Sequence, residues 1–217
     1  LIDNEYCLEE TFLPIKETEN YQGVLSTPLL QLVKLYSYLD RPLISTQHGV
    51  KGEGHDKVCF IAEDSSRNPI TYMYDFFELY CNEDINLTDF QNFYYDYIAD
   101  METIDLSFLT PADVYKSKKD EYIKKAQYII DKYQDNKYFS FCQEQDYISY
   151  LHNPTATNAR KCFRTTKTRG ILWGYKLFYV GCSRAKNELV IVIDKDKIAP
   201  FRDKFVDKMT SIGFVIE

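Results

Sequence analysis

The sequence predicts an α/β protein in which a mostly parallel sheet is interrupted by a helical insertion. Two apolar runs, Lys57–Glu63 and Glu188–Asp194, are typical of strands, and the first comes directly after a glycine-rich loop. Between these runs, apolar residues recur at helical spacing instead. Strands that alternate with helices favour parallel pairing. We therefore expect a sheet domain in two parts, residues 1–63 and 170–217, with residues 64–169 inserted between them as an all-helical subdomain.

The first part opens with a polar, irregular stretch and continues with a helix. Thr27 and Pro28 suit the N-cap and the first helical position, and apolar residues follow at helical spacing. Pro42–Thr46 is predicted to be a short buried strand that runs into the glycine-rich loop Gly49–Gly54. Because the strand Lys57–Glu63 comes next, we expect a strand, a tight loop and a second strand here.

The insertion and the second part contain further predicted elements. The clearest helix of the insertion spans Pro111–Asp135, with apolar residues along one side. In the second part, a helix over Ile171–Ala185 leads to the strand Glu188–Asp194, whose continuous apolar run predicts burial on both faces. A polar helix over Ile198–Ile212 follows, and Phe214–Ile216 is expected to add an edge strand.

The charge of the chain is negative overall but unevenly distributed. A net charge of −7 argues against a domain that binds nucleic acid mainly through bulk electrostatics. However, Asp64–Asp113 has eleven acidic residues and one basic residue, whereas residues 155–187 have no acidic residue. The basic residues of that second stretch are Arg160, Lys161, Arg164, Lys167, Arg169, Lys176, Arg184 and Lys186. A local basic surface is therefore expected on an acidic protein.

The six cysteines are scattered along the chain. No CxxC pair occurs and no cysteine lies near a histidine at metal-ligand spacing, so we expect no metal site. Isolated thiols are typical of the reducing cytoplasm. No apolar stretch has the length that a membrane span requires, and no signal peptide opens the chain. Because the first residue is Leu1 rather than methionine, we interpret the chain as a fragment of a longer cytoplasmic protein.

The first stretch that suggests a binding site is Ser45–Val58, with the sequence Ser-Thr-Gln-His-Gly-Val-Lys-Gly-Glu-Gly-His-Asp-Lys-Val. Open α/β sheets bind ligands at loops that follow a strand. Glycines there let backbone amides approach an anion, and Thr46, His48 and Lys51 could each contact a phosphate. Taken alone, such a stretch is more often an ordinary glycine-rich turn with a solvated lysine and histidine.

The second such stretch is Lys176–Ile193, with the sequence Lys-Leu-Phe-Tyr-Val-Gly-Cys-Ser-Arg-Ala-Lys-Asn-Glu-Leu-Val-Ile-Val-Ile. An apolar helix ends at Ser183 and Arg184, directly before a strand. A rigid helix would hold the guanidinium in one place, as a group that stabilises phosphoryl-transfer charge requires. Taken alone, Arg184 and Lys186 could equally complement the negative end of the helix dipole.

Together, the two stretches resemble motif V and motif VI of the UvrD/Rep-type superfamily 1 DNA helicases, in the same order. The first is similar to the family's Thr-x-His-x-x-Lys-Gly pattern. The second is similar to its Leu-x-Tyr-Val-x-x-Thr/Ser-Arg-Ala-Lys pattern, and a strand follows each. The resemblance implies the C-terminal, RecA-like motor half of an ATP-dependent helicase or translocase with 3′→5′ polarity. It does not cover the helical insertion.

The resemblance also implies roles for individual residues. Arg184 would be the catalytic arginine finger that reaches the γ-phosphate of ATP held by the other motor domain. The expected nucleotide-binding residues are Gly52, Glu53 and Arg184, and the expected contacts to single-stranded DNA in this loop are Thr46, His48 and Lys51. One departure concerns the family's ribose-binding glutamate. In this chain Glu53 comes one position early, and Gly54 stands where that glutamate is usual.

The sequence contains no GxxxxGK[ST] stretch, so it has no P-loop to hold the β- and γ-phosphates or Mg²⁺. The resemblance implies that ATP and Mg²⁺ are bound mainly by an N-terminal RecA-like motor domain of the same parent protein. That domain and single-stranded DNA are therefore the expected partners. We expect the 217-residue chain alone neither to hydrolyse ATP nor to bind it tightly.

The insertion and the basic stretch are interpreted from composition. The acidic, tyrosine-rich composition of the insertion is typical of a solvated helical subdomain whose tyrosines lie on half-buried helix faces. The alternatives are that the insertion docks an accessory protein, or that it mimics DNA or inhibits the protein itself. In residues 155–187, basic side chains alternate with aromatic ones, which favours binding of single strands through phosphate contacts and base stacking. The expected phosphate contacts are Arg160, Arg164, Lys167 and Arg169. Trp173, Phe178 and Tyr179 fall on a helix, where a core position is the simpler interpretation.

Two other classes of function stay open on the sequence. One is a non-enzymatic docking or nucleic-acid-binding module that keeps a helicase-like fold, an interpretation that Gly54 favours. The other is a nucleotide-binding protein outside the helicases in which both stretches are coincidental. A P-loop and a DExx motif upstream in the parent gene would select the motor.

Overall fold

The structure is a computed structural model, and the residues it describes are 28, 30, 31, 33, 54–104 and 112–216. The chain divides into two compact units, Leu1–Val50 and Lys51–Glu217.

In the first unit, the described residues belong to the start of the predicted helix. Leu30, Gln31 and Val33 are helical, and the backbone N–H of Gln31 donates to the carbonyl oxygen of Pro28 at 2.8 Å. This agrees with a helix that begins at the proline, whose missing N–H costs nothing in the first turn. The predicted strand Pro42–Thr46 lies outside the described residues.

The second unit is mostly helical and has a two-stranded parallel sheet in its described part. Its elements are β1 (His55–Ile61), α1 (Met73–Asn82), α2 (Leu87–Glu102), α3 (Ala112–Tyr133), α4 (Lys137–Phe139), a π-helical turn (Ser140–Glu144), α5 (Gln145–His152), α6 (Ala156–Cys162), α7 (Thr166–Cys182), β2 (Ala185–Val192), α8 (Lys195–Ile198), a 3₁₀ turn (Ala199–Phe201) and α9 (Arg202–Ser211). The predicted combination of helices with parallel strands is confirmed, although helices dominate.

The two strands pair in parallel, with Val58 opposite Leu189. Both lie within three residues of the predicted runs. The prediction that β2 is buried on both faces is wrong, because Val190 and Val192 are 46% and 47% exposed. Successive side chains of a strand point to opposite faces. Helix α7 covers only the face that carries Phe60, which leaves the alternate residues of both strands accessible.

Helix α7 links the sheet to the helices. It packs on α1 and α2 and also contacts both strands, while α9 covers the far side of α1. Phe60, Phe77 and Phe178 meet in edge-to-face contacts at this junction, with ring centroids 5.7 Å apart for Phe60–Phe178 and 5.4 Å for Phe77–Phe178. One continuous cluster of buried side chains therefore extends from β1 through the helices to α9.

The helical body has an aromatic core with internal hydrogen bonds. Among the described residues, four tyrosines are fully buried, namely Tyr97, Tyr122, Tyr147 and Tyr150. The hydroxyl groups of Tyr97 and Tyr147 lie 2.9 Å apart, and Tyr115 donates to Tyr150 at 3.2 Å. Buried hydroxyls require such partners. Half-buried helix faces therefore account for only part of the tyrosine content.

Side-chain caps determine where several helices begin. The side-chain oxygens of Asn86, Asn136 and Thr155 accept hydrogen bonds from backbone N–H groups in the first turns of α2, α4 and α6. Those N–H groups have no partner within the helix itself, so the caps stabilise these starts by about 1 kcal/mol each.

The C-terminal elements differ from the prediction. The helix expected over Ile198–Ile212 begins later, because α8 ends at Ile198, a 3₁₀ turn that contains Pro200 follows, and α9 starts at Arg202. The edge strand expected over Phe214–Ile216 is wrong, because these residues form no strand. Instead, Phe214 N–H donates to Met209 O at 3.0 Å, while Gly213, at φ 99°, ends α9 in a Schellman motif.

No helix in the described part of the chain combines the length and the apolar character needed to cross a bilayer.

Candidate nucleotide and nucleic-acid interface

The turn between α7 and β2 carries Ser183 and Arg184, at the end of a helix and before a strand as the sequence predicts. The backbone N–H of Ser183 donates to Tyr179 O at 3.0 Å, and its hydroxyl donates to Val180 O at 3.2 Å. These bonds satisfy carbonyl groups of the last helical turn. The backbone that leads into Arg184 is therefore fixed to α7.

The start of β1 fixes Arg184 from the other side. The backbone N–H of His55 donates to the carbonyl oxygen of Arg184 at 2.8 Å, and His55 is opposite Ala185 in the sheet. One pair further, Asn187 Nδ2 lies 3.4 Å from Asp56 Oδ1. The described end of the glycine-rich stretch thus meets the Ser-Arg turn at the amino edge of the sheet.

Gly54 lies beside Lys186 at this edge. A Cβ atom added to Gly54 would come within 2.8 Å of Lys186 Cε. Lys186 is exposed, and its flexible end could move aside. Steric demand therefore does not explain the glycine, and a cationic side chain lies beside it.

The side chain of Arg184 is half-buried, and its Nε–H has no hydrogen-bond partner among the described residues. No described carboxylate pairs with its guanidinium. Buried donors in proteins are nearly always satisfied, so one without a partner requires an explanation.

Close packing holds α7 on the sheet near this turn. A Cβ atom added to Gly181 would lie 2.3 Å from a ring carbon of the buried Phe60. The next residue, Cys182, is also packed in, and burial raises the pKa of its thiol to about 12. One turn and a half earlier, desolvation lowers the pKa of Lys176, whose Nζ lies 5.7 Å from the ring centroid of Trp173.

The opposite, carboxyl edge of the sheet is held together by Tyr74, which the sequence did not single out. Its hydroxyl donates to Ala62 O at 2.9 Å and accepts from the backbone N–H of Asp194 at 2.8 Å. Asp64 Oδ1 accepts from Met73 N at 2.7 Å, which caps α1. The cleft at this edge measures about 400 Å³, but its polar groups already serve structural contacts.

Five residues assigned by the resemblance, namely Thr46, His48, Lys51, Gly52 and Glu53, lie outside the described residues. Their contacts to DNA and nucleotide stay predictions.

The four arginines and lysines expected to bind phosphate are exposed but do not share one surface. Arg160 and Arg164 line a common cavity beside the start of α7. Lys167 instead extends over the ring of Phe141, 5.7 Å from its centroid. Arg169, two residues later on the helix, points to a different side, where its charge acts on Tyr94.

Most aromatic residues of the basic stretch are not available to stack on bases. Phe163 is 1% exposed, and Phe178 belongs to the packed junction. The ring of Tyr175 stacks on Phe76, with centroids 4.9 Å apart. The expected core position of Tyr179 is wrong, since this residue is 57% exposed. Base stacking by the aromatic residues of this stretch is therefore restricted mainly to Tyr179.

In the ranges 54–104 and 112–216, no group of histidine, cysteine, aspartate and glutamate side chains is arranged to hold a metal ion. The five cysteines of these ranges are free thiols. Comparisons of the chain with protein-family models, with curated proteins and with solved structures gave no significant match.

Proposed function

We propose that this chain is the second motor domain of an ATP-driven translocase or helicase that acts on single-stranded DNA. In this proposal, β1 and β2 belong to a RecA-like sheet, and the helical residues 64–169 are inserted between its two parts. Arg184 acts on ATP held by a partner motor domain that carries the P-loop and Mg²⁺. The biochemical class is therefore ATP hydrolysis coupled to movement along DNA.

The observation that carries the proposal is the way Arg184 is held. Its carbonyl oxygen accepts from His55 N–H, and the two preceding residues close the last turn of α7. The Nε–H nevertheless has no partner among the described residues. The cation has a fixed backbone and an unused donor, and a small movement of its side chain on domain closure would bring that donor to a ligand held by another domain, as an arginine finger requires.

The chemistry follows from charge. As the γ-phosphoryl group is transferred, negative charge spreads over its oxygens, and a guanidinium placed there stabilises the transition state more than the ground state. Closure of two motor domains around ATP would bring Arg184 to this position. The same closure would move the Thr46–Glu53 loop along the DNA strand. In this proposal the loop contacts the DNA phosphates and the edge of the nucleotide.

Kinetics of the complete protein test this assignment. We expect Arg184→Ala to reduce ATP turnover by about 10³–10⁵. Affinity for a single-stranded oligonucleotide should change by less than about threefold, because the arginine does not face DNA in this proposal. Arg184→Lys keeps the charge but loses the planar fork, so it should restore only part of the rate.

The matched control is Arg202→Ala, which removes an exposed arginine from α9. We expect its ATP turnover to equal that of the unmodified protein. Equal turnover in Arg184→Ala and the control would refute the motor assignment.

The second candidate is a non-enzymatic module that binds nucleic acid or a protein partner with the same fold. Gly54 favours it, because the position lacks the carboxylate expected beside a nucleotide and lies next to Lys186 instead. If this candidate holds, Arg184→Ala should leave binding of nucleic acid or of the protein partner unchanged. The complete protein should also show no DNA-stimulated ATP turnover.

A further inference from the structure

A cavity of about 560 Å³ lies where the end of α2, the end of α6 and the first turn of α7 meet. Its wall includes Arg160, Arg164 and the half-buried Thr165 and Thr166. Helix α7 packs on α2, so the wall and the opposite side are parts of one body. The volume falls in the range of cavities that bind small ligands, about 300–1,000 Å³.

The basic groups of this cavity are unused. Neither guanidinium forms an ion pair or a side-chain hydrogen bond with another residue in the described part of the chain, and both residues are exposed. The one acidic side chain in the lining is Glu102, which is exposed at the rim. Two unneutralised arginines beside one carboxylate leave an excess of positive charge in the cavity.

The floor of the cavity is apolar and rigid. Ile98 gives the floor its accessible aliphatic surface, whereas Met101 and Phe163 line it but are only 5% and 1% exposed. Phe163 cannot move aside easily, because its ring meets Tyr147 and Tyr150 with centroids 5.8 and 5.9 Å away. An apolar floor with cations on the wall selects a ligand that has a flat apolar part and an anionic part.

We propose that this cavity binds one nucleotide of single-stranded DNA, with the base against the apolar floor and its phosphate between Arg160 and Arg164. The inference rests on the proposed function, because it assigns the cavity to the DNA strand that the motor follows. A free anion would leave the floor uncovered, and an apolar ligand would leave both arginines desolvated without a counter-charge. Hydroxyls of Thr165 and Thr166 add donors for phosphate or sugar oxygens.

The first test measures binding of a fluorescent oligothymidylate to the 217-residue chain by anisotropy over a series of salt concentrations. We expect Arg160→Gln with Arg164→Gln to weaken binding about tenfold or more. Loss of the one phosphate that both arginines neutralise should also reduce the salt slope by about 0.7, the contribution of one phosphate on a single strand. The charge-matched control is Lys195→Gln with Arg202→Gln on α8 and α9, for which we expect less than about threefold weakening.

The second test asks whether a base enters the cavity. The unmodified chain should bind oligothymidylate several-fold more tightly than an abasic oligomer of equal length. In Ile98→Asn, a polar amide replaces the aliphatic surface of the floor, so the two oligomers should bind with nearly equal affinity. Circular dichroism melting of each variant establishes that it is folded.

The outcomes separate the two proposals. If the unmodified chain binds no single-stranded DNA, both the cavity assignment and the DNA track of the proposed function are refuted. If it binds but the arginine pair and the control pair weaken binding equally, or the abasic oligomer binds as well as oligothymidylate, only the cavity assignment is refuted.

Discussion

The ring of Phe60 lies against Gly181 so closely that a methyl group on that glycine would come within 2.3 Å of a ring carbon. Phe60 belongs to β1, and Gly181 belongs to the last turn of α7. This contact fixes the distance between the strand and the helix that carries the Ser-Arg turn. A larger residue at position 181 must push the two elements apart.

Replacement of Gly181 by alanine is therefore expected to destabilise the protein. Within a helix, glycine to alanine normally stabilises by about 1 kcal/mol. Here overpacking against Phe60 costs about 1–3 kcal/mol, so the net change should be a loss. Urea denaturation of the 217-residue chain measures it. The control is Gly54→Ala, where only the flexible end of Lys186 would be met, and a more stable Gly181→Ala variant would contradict the packing argument.

Removal of the Tyr74 hydroxyl should weaken the carboxyl edge of the sheet. Tyr74→Phe leaves the carbonyl oxygen of Ala62 and the N–H of Asp194 without their hydrogen-bond partner. We expect a loss of about 1–3 kcal/mol in the free energy of unfolding. Tyr179→Phe removes the same atom from an exposed ring and should change the unfolding midpoint little. Equal unfolding midpoints for the two variants would show that the hydrogen bonds of the Tyr74 hydroxyl do not stabilise the fold.

Alkaline pH should unfold the protein through its buried tyrosines. Burial, with a smaller contribution from the hydrogen bond to Asp100, raises the pKa of Tyr133 to about 12 from 10.0. Burial also raises the pKa of Tyr97, Tyr147 and Tyr150. Between pH 10 and about 12 the unfolded chain loses these protons while the folded chain retains them. The contribution of these tyrosines to the free energy of unfolding is therefore complete below pH 10, and it is lost as the pH rises through their pKa values in the folded chain.

The measurement combines urea midpoints with the ultraviolet absorbance of tyrosinate over that range. Ionisation should coincide with unfolding rather than precede it. Tyr133→Phe should make the decline of the midpoint with pH shallower, and an unchanged slope would contradict the role of this phenol.

Thiol reactivity should distinguish Cys59 from the other described cysteines. Burial raises the pKa of Cys81 to about 11 and that of Cys142 to about 12, and it also raises the pKa of Cys162. Since the thiolate is the reactive form, these thiols should react slowly with a disulfide reagent at neutral pH. Exposed Cys59 should react first. In a Cys7→Ser background we expect one fast thiol, which Cys59→Ser abolishes. Fast reaction of several thiols would mean that the helical body opens readily.

The 217-residue chain alone is expected to release no phosphate from ATP, with or without single-stranded DNA. It has no P-loop, so the β- and γ-phosphates lack their backbone cradle. A phosphate-release assay checks this, with Arg184→Ala as the control for contaminating ATPases. Turnover that the purified chain shows and Arg184→Ala abolishes would mean that the chain binds ATP by itself.

Strand positions were predictable because β1 and β2 are compact apolar runs after turn-forming residues. Their parallel pairing followed from the intervening helices. The predicted helix over Ile171–Ala185 begins five residues later than α7, which starts at Thr166. In the structure Gly170 is inside the helix, where it faces the ring of Tyr72. A glycine that breaks a helix and one that permits close packing look the same in sequence.

The candidate site was predictable only in its local parts. The position of Arg184 at the end of an apolar helix followed from the sequence of α7 and β2. The separation of Lys167 from Arg164, and the cavity shared by Arg160 and Arg164, depend on how α2, α6 and α7 pack. Tyr74 was missed because its two hydrogen-bond partners are distant in sequence. Tertiary packing, which no local pattern records, decides such contacts.

The pairing of β1 with β2 joins segments that leave the ribosome at different times, because residues 62–184 separate them. Contacts between segments so far apart form slowly and late. Phe60 and its neighbours on β1 are therefore synthesised well before the strand that completes the sheet. A nascent chain halted before Ala185 would display an unpaired apolar strand, which is a target for chaperones and proteases until translation resumes.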